Sequence, residues 1–308
     1  VSYVDVKDSN NINSLINPSN SLNSGNNTNW FPVILVSISG YAYSDLGVTP
    51  LANGVTIILV KDGVQDGSTT TTGGTGYYIF SNVSVIGGEA FLVYINDNTV
   101  DGNTVTASAG ASITGFNIYG NTVIVRHEAS GQVTNATLAA AKGVLGDADI
   151  IYTVSGADLA TNGNLYIWAG KTFVPGGNIQ INNGGFINKG TFTHGSKTVT
   201  LNAAATGYSI ESGGSSFYNL DFLGTGIYTL ADNLTIAGSL TFKGYSYYKA
   251  ITIDHTKVGA TLTDYPLLFS VTDPDMRLTA DGGYVTSTMG YDIAFYDALG
   301  NKLDHQIE

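Results

Sequence analysis

The stretch NLYIWAGKTFVPGGNIQINNGGFINKGTFTHG, residues 164–195, decides the fold of this chain. It consists of short segments with alternating apolar residues, separated at regular intervals by Gly, Asn or Ser and carrying few charges. The pattern continues to residue 242 through KTVTLNAA, YSIESGG, FYNLDFLG and LTIAGSLTF. No such segment can bury an apolar face alone, so each must lie on the one before it. The pattern therefore predicts a parallel β-solenoid of about three or four coils.

The composition favours a structural protein. The chain has 308 residues, enough for two or three domains, and 43% of them are hydrophobic. Only 12% are charged, about half the usual share in soluble domains. Polar but uncharged surfaces of this kind are typical of walls and fibres.

The charge balance excludes one class of partner. The net charge is −12, and the 12 basic residues are scattered along the chain. Because phosphate recognition needs clustered Lys and Arg, we expect no nucleic-acid binding. The chain has no cysteine, which leaves the redox compartment open. It also lacks the run of about 18 apolar residues that a membrane-spanning helix requires.

The first half of the chain has regular strand signals. Residues 1–34 are predicted to form an N-terminal strand followed by an Asn/Ser linker, and residues 35–130 to form a β-sandwich, from segments such as NGVTIILVKDG, GYYIFSNVSV, EAFLVYIND and NTVIVRHE. One short helix is expected over residues 135–143. Thr134 or Asn135 could cap that helix, and Gly143 could end it.

Two parts of the chain resemble known families. The strand order and the Gly-rich turn at residues 72–76, followed by YYIF, resemble the transthyretin-like or carboxypeptidase-regulatory family of immunoglobulin-like modules. The segments ITIDHTKV, LTDYPLLFSVTDPDM and GYDIAFYDALGNKLDHQIE resemble the opening half of a jelly-roll domain of unknown function. That domain occurs in large bacterial and archaeal adhesin-like surface proteins, beside concanavalin-like lectin modules. The resemblance implies an extracellular or cell-surface location.

These observations predict an all-β chain. An immunoglobulin-like β-sandwich at 35–130 is followed by a short parallel β-solenoid with a capping helix at 131–244 and a partial jelly roll at 245–308. An incomplete jelly roll exposes unpaired strand edges. Either the natural protein is longer, or another subunit supplies the missing strand. The predicted donor is the N-terminal segment with Val1, Tyr3, Val4 and Val6, which would build a head-to-tail homopolymer.

Calcium is the one cofactor that the sequence suggests. The loop NDNTVDGN places Asp97, Asp101 and Asn103 together, and oxygen-rich loops suit a hard cation. A plain hairpin turn explains the loop better, because Thr99 stands where an EF-type pattern has an acid. Two further acid pairs, in GDAD at 146–149 and TDPDM at 272–276, are better explained by turns or caps.

We predict no catalytic residues and no enzyme activity. The histidines are isolated from one another and lack metal-ligand spacing: His127, His194, His255 and His305. Enzymes built on β-helices need paired carboxylates or a base beside calcium-binding acids. The predicted solenoid offers three scattered acids, Glu211, Asp221 and Asp232.

Tyrosine and asparagine supply further surface candidates. The chain has 19 Tyr against two Trp, and stacked tyrosines at 41, 43, 77, 78, 245, 247 and 248 could bind sugars. Packing at half-buried strand positions explains them better. Four sequons are candidate glycosylation sites: Asn26, Asn82, Asn135 and Asn233.

The sequence thus predicts a structural subunit of an extracellular filament, sheath or fibre that assembles by strand addition. Its partners would be copies of itself and surface glycans. One alternative is an adhesin stalk whose C-terminal part binds glycans. A second alternative is a carbohydrate-active β-helix enzyme.

Overall fold

The structure is a computed structural model that describes residues 2–24, 27, 30, 34–128, 131–242, 249–260, 267–285, 287–290, 293–296 and 302–306. The chain forms two compact units, Val1–Thr241 and Phe242–Glu308. Tyr245, Tyr247 and Tyr248 lie outside the described residues.

Strands dominate the fold, as predicted. Among the described residues there is one α-helix, α1 (Asn135–Lys142). The strands are β1 (Asp5–Val6), β2 (Leu22–Asn23), β3 (Ile34–Tyr41), β4 (Thr56–Lys61), β5 (Val64–Thr70), β6 (Tyr77–Val85), β7 (Ala90–Asn96), β8 (Asn103–Ala107), β9 (Thr122–Val125), β10 (Tyr152–Ser155), β11 (Asp158–Asn162), β12 (Asn164–Ile167), β13 (Thr172–Phe173), β14 (Ile179–Asn182), β15 (Phe186–Asn188), β16 (Thr191–Phe192), β17 (Thr198–Asn202), β18 (Tyr208–Glu211), β19 (Ser216–Phe217), β20 (Asn219–Phe222), β21 (Tyr228–Leu230), β22 (Thr235–Ile236), β23 (Leu240–Phe242), β24 (Phe295–Tyr296) and β25 (Lys302–Leu303).

The predicted β-solenoid is confirmed. The first ladder stacks β9, β12, β15, β18 and β21, which pair in parallel. The second ladder stacks β11, β14, β17, β20 and β23. Shorter pairs, β13 with β16 and β19 with β22, lie between the strands of these ladders along the chain. The prediction of three or four coils is wrong, because each of the two main ladders contains five strands.

Columns of apolar side chains fill the solenoid. In the second ladder, residues in register across four coils are all buried: Leu159, Ile179, Val199 and Leu220. Phenylalanine rings form another column. The ring of Phe186 lies 5.0 Å from that of Phe192 and 4.8 Å from that of Phe217. The alternation in the sequence is therefore the alternation between this interior and the outer faces.

Glycine is required where the chain turns from the second ladder to the first. Gly163 has a φ of +140°, a conformation that other residues avoid. One coil later, a Cβ atom at Gly184 would lie 2.2 Å from the carbonyl carbon of Gly163. The turns of successive coils thus stack backbone on backbone, which explains the regular glycines of the sequence.

The N-terminal strands and the solenoid share one sheet. Its nine strands run in the order β21, β18, β15, β12, β9, β8, β7, β4, β5, and we call it the shared sheet. β8 is antiparallel to β7 and parallel to β9, so the antiparallel half meets the first ladder there. β9 lies within the predicted sandwich segment, yet it is the first strand of the solenoid ladder.

A second layer covers the antiparallel half of the shared sheet. It contains β3 and β6, which are antiparallel, and residues 113–118, which hydrogen-bond along β3. The two layers enclose a core that includes Ile38, Tyr78, Phe80, Leu59, Val93 and Phe116. This region is therefore two-layered, with its core between β3 and β6 on one side and β4 and β7 on the other.

Helix α1 has the predicted ends. Thr134 is the N-cap, because its hydroxyl accepts a hydrogen bond from Thr137 N and the Thr137 side chain bonds back to Thr134 N. The backbone amide of Gly143 closes the last turn on Ala139 O. Leu138 and Ala141 are buried. The Tyr152 hydroxyl donates to Leu138 O at 3.0 Å, which links the helix to β10 at the start of the second ladder's sheet.

Replacing Thr134 by alanine should lower the free energy of unfolding by about 1 kcal/mol, because the substitution leaves the amide of Thr137 without its cap. Urea denaturation would measure the change. Thr229→Ala, at an exposed position on β21, is the control and should change stability far less. Equal stabilities of the two variants would contradict the capping role.

The second unit has little regular structure in its described residues. β24 and β25 form an antiparallel pair, and short 3₁₀ turns occupy His255–Lys257, Pro274–Met276 and Thr279–Asp281. Lys249 forms ion pairs with Asp273 at 2.6 Å and Asp275 at 2.7 Å. Asp273 also caps the turn that follows it, by accepting from Asp275 N at 3.0 Å.

Candidate functional site

Two acidic loops that are far apart in sequence meet in the structure. One joins β7 to β8, and the other follows α1. We call their four aspartates, Asp97, Asp101, Asp147 and Asp149, the acidic corner. The backbone amide of Asp97 donates to Asp149 Oδ2 at 2.6 Å, and the Tyr94 hydroxyl donates to Asp147 Oδ2 at 2.8 Å. The corner therefore combines the predicted calcium loop with the acid pair of GDAD.

Asn103 links the two acidic loops. It is fully buried, its amide nitrogen donates to Asp149 O at 2.9 Å, and its amide oxygen accepts from Ile151 N at 2.7 Å. The side chain thus joins the two loops. Of the predicted set, Asp97 and Asp101 lie in the acidic corner and Asn103 is buried beside it.

The carboxyl groups of Asp101 and Asp149 lie close together. Burial, the charge of Asp149 and a hydrogen bond between the two carboxyl groups together raise the pKa of Asp101 above its ordinary value. A carboxyl–carboxyl hydrogen bond needs a proton on one partner. Among the described residues, no group of three or more His, Cys, Asp or Glu side chains is arranged to hold a metal ion. Calcium binding stays a prediction from the sequence.

Replacing Asp101 by asparagine should stabilise the protein at pH 7, by less than about 1 kcal/mol because the site is partly exposed. The raised pKa means that the protonated carboxyl favours the folded state below pH 3.8, and that this contribution is lost as the pH rises through the folded-state pKa. The asparagine amide replaces that proton at every pH.

Melting temperatures of D101N and the parent between pH 3 and pH 8 would test this effect. The advantage of the variant should shrink as the pH falls toward 3.8. Asp281→Asn, at an exposed position outside the corner, is the matched control. A variant that melts below the parent at pH 7 would contradict the account of Asp101.

The three acidic residues predicted in the solenoid are Glu211, Asp221 and Asp232, and they lie in different local environments. Glu211, on the first ladder, pairs with Lys189 at 2.6 Å. Asp232 accepts from the backbone amides of Ser212 at 2.8 Å and Gly213 at 2.7 Å. Asp221 is buried on β20 of the second ladder. Glu211 and Asp232 are thus engaged in structural contacts, and Asp221 lies on the other ladder.

Two histidines act as hydrogen-bond acceptors for the backbone. His127 Nε2 accepts from Thr172 N at 3.1 Å, and His194 Nδ1 accepts from Ser196 N at 2.9 Å. The ring of His305 packs 5.2 Å from that of Phe295. The His127 contact joins two distant segments, the His194 contact is local, and the three contacts indicate structural roles for these side chains.

The N-terminal segment pairs within its own chain. β1 lies parallel to β2, Tyr3 N donates to Ser19 O at 3.1 Å, and Val4 N donates to Ser21 Oγ at 3.1 Å. Tyr3 is 80% exposed and Val6 only 6%. Val1 lies outside the described residues. The predicted donor segment is therefore already paired along one edge with β2 of its own chain.

The four sequons differ in access. Asn82 and Asn233 are exposed, and Asn26 lies outside the described residues. Asn135 is fully buried, and its amide nitrogen donates to Ala157 O at 2.7 Å. The folded chain does not offer Asn135 for modification, because the side chain is buried and bonded to the connection between β10 and β11.

The structure brings together a row of aromatic side chains that the sequence analysis does not predict as one group. Tyr41 contacts Tyr43 and Tyr77, Tyr43 contacts Tyr119, and Tyr119 contacts Tyr166 and Trp168. We call these six residues the aromatic row. Tyr166 and Trp168 are two residues apart in a segment with alternating apolar residues. This spacing places both rings on the same face of a strand, and it is the feature of the sequence that could have indicated the pair.

Comparison of the chain with protein-family models, curated proteins and solved structures gives no match. Within the described residues, no helix has the length and apolar character needed to cross a membrane.

Proposed function

We propose that the chain is a structural subunit of an extracellular filament, sheath or surface fibre. The observation that carries this proposal is the shared sheet, which runs without interruption from β5 through β9 to β21. Such a sheet joins the two-layered region to the solenoid by backbone hydrogen bonds instead of a flexible linker. A stiff body of this kind suits a load-bearing role.

The surface supports the same role. Only 12% of the residues are charged, and the carboxylates of Glu211 and Asp232 serve local contacts. We therefore assign the chain no catalytic function. Its partners would be further copies of itself at the cell surface.

We also infer the finer fold classes from the sequence resemblances. One layer contains β3 and β6, and the other contains β4 and β7. The core between these two layers supports an immunoglobulin-like module at residues 35–130. Residues 245–308 would form the opening part of a jelly roll. Subunits would join by strand exchange, in which β1 leaves β2 of its own chain and pairs with the next subunit.

Deleting residues 1–7 should abolish polymerisation and leave the body folded. The segment has a two-residue ladder with β2 and buries one side chain of that ladder, Val6, so its loss removes little of the core. Sedimentation would measure polymer, and circular dichroism would measure the melting of the body.

The matched control scrambles residues 8–14 of the Asn/Ser tract and keeps β1 intact. This control should polymerise like the parent. Polymers that form unchanged after the deletion would overturn strand exchange by the N-terminal segment.

A further inference from the structure

The six rings of the aromatic row form a continuous chain across two parts of the fold. The ring centroid of Tyr41 lies 5.4 Å from that of Tyr77 and 6.4 Å from that of Tyr43. Tyr43 lies 5.8 Å from Tyr119. Tyr119 then contacts the solenoid, at 5.5 Å from Tyr166 and 5.9 Å from Trp168. The row thus leads from β3 and β6 onto the first ladder.

The row is a surface layer and not part of the core. All six rings are partly or well exposed, and Tyr41 is 39% exposed. A different set of rings, Tyr78, Phe80 and Phe116, fills the interior beneath. The Tyr78 hydroxyl donates to Phe116 O, and none of these three buried rings belongs to the aromatic row.

The row lies where the second layer of the fold ends. Across the shared sheet, Val93, Thr104, Ile124 and Tyr166 stand in one register row. The second layer covers these in-register residues as far as Thr104, whose hydroxyl donates to Asn117 O at 2.6 Å. Of the four, only Tyr166 is not buried. The edge of the second layer and the open ladder therefore form a step lined by Tyr119, Tyr166 and Trp168.

The step is held rigid from beneath. The Arg126 guanidinium lies 5.3 Å from the ring centroid of Trp168 and 5.6 Å from that of Phe116, which orients the indole through a cation–π contact. Arg126 is itself fixed, since Nε pairs with Glu128 at 2.6 Å and Nη1 donates to Gly115 O at 2.5 Å. A rigid ring loses little conformational entropy when a ligand binds.

The chemistry of the step selects a neutral, hydroxyl-rich ligand with apolar faces. Exposed Tyr and Trp rings offer flat apolar contact together with polar edges. The Lys189–Glu211 ion pair stands in the same ladder, with Glu211 two strands from Tyr166 in register, and can exchange hydrogen bonds with hydroxyl groups. Aromatic platforms that bind single-stranded nucleic acid need a cationic groove, whereas this chain has a net charge of −12.

We propose that the aromatic row is a binding platform for neutral polysaccharide, with pyranose rings stacked on Trp168, Tyr166 and Tyr119. The axial and equatorial C–H groups of a pyranose match an aromatic face, and its hydroxyls match the phenol edges and the ion pair. This platform lies at the junction of the two-layered region and the solenoid, independent of strand exchange and of residues 242–308.

Tryptophan fluorescence tests the platform in the full chain. The protein has two tryptophans, so Trp30→Phe leaves Trp168 as the reporter. The probes are soluble neutral polysaccharides built from glucose, mannose, galactose and N-acetylglucosamine, with alginate as the anionic control. We expect at least one neutral polymer to shift the Trp168 emission and to retard the protein in affinity electrophoresis, and alginate to do neither.

Single-residue variants distinguish binding at the platform from non-specific binding of polysaccharide. Trp168→Ala and Tyr166→Ala should each weaken retardation about tenfold or more, and Trp168→Phe should keep most of it. Tyr218→Ala removes an exposed ring outside the row and should bind like the parent. Thermal melting verifies that each variant is folded.

The proposal is overturned if no neutral polymer in the panel binds, or if binding survives Trp168→Ala. Capture of a proline-rich peptide in place of sugar, or self-association that Tyr166→Ala abolishes, would equally assign the row to another partner.

Discussion

Replacing Phe186 by alanine is expected to lower the free energy of unfolding by about 3–5 kcal/mol, the usual cost of removing a buried aromatic ring. Phe186 is fully buried on β15, and its ring contacts those of Phe192 and Phe217, which belong to neighbouring segments of the solenoid. The substitution therefore opens a cavity that the rigid coils cannot close. Urea denaturation followed by circular dichroism would measure the loss.

Tyr218→Ala is the control for this prediction. Tyr218 is 36% exposed and follows the buried Phe217 directly, so the variant removes a ring of similar size from the outside of the next coil. We expect a loss below about 1 kcal/mol. Equal losses in the two variants would mean that the phenylalanine column does not form the solenoid core.

Replacing Arg126 by methionine should also cost about 3–5 kcal/mol, because it leaves the carboxylate of Glu128 without its main partner in a largely buried place. Arg126 follows β9, the first strand of the first ladder, and is 5% exposed. It contacts Glu128 Oε1 at 2.6 Å, and Lys171 lies at 3.8 Å from the other carboxylate oxygen. Thermal melting would measure the change.

The double variant R126M/E128Q distinguishes loss of charge pairing from loss of packing. Glutamine removes the unpaired charge and keeps the shape of Glu128, so the double variant should recover part of the stability lost in R126M. Equal stability of R126M and the parent would contradict the account of the junction.

The solenoid could be predicted from the sequence because its strands are half-buried. Alternation in segments such as NIQIN reports one inward and one outward face, and the glycines at 163 and 184 mark the stacked turns. The ends of α1 were also predictable, since Thr134 and Gly143 have local capping chemistry.

The shared sheet could not be predicted in the same way. β9 is buried on both faces, so its sequence TVIV has no alternation and resembles any buried strand. Its parallel pairing with β8 on one side and β12 on the other joins distant residues, as with Asn164 and Thr122. The predicted number of coils is too low because β9, which belongs to the first ladder, lacks the alternation that identifies the other strands of the solenoid.

The candidate sites could not be predicted from the sequence, because they form by contacts between loops that are distant in the chain. The sequence placed Asp101 and Asp149 in separate turns, and their meeting depends on how α1 returns the chain to β8. The burial of Asn135 was equally hidden, because a sequon reports local sequence and not access. The aromatic row brings together rings from residues 41 to 168.

Electron microscopy of the purified chain over a range of concentrations tests the central claim most directly. A structural subunit that joins its neighbours by strand exchange should form fibres with a constant width and a regular axial repeat. Discrete elongated particles at every concentration would contradict the proposed function and leave the stiff body as a spacer.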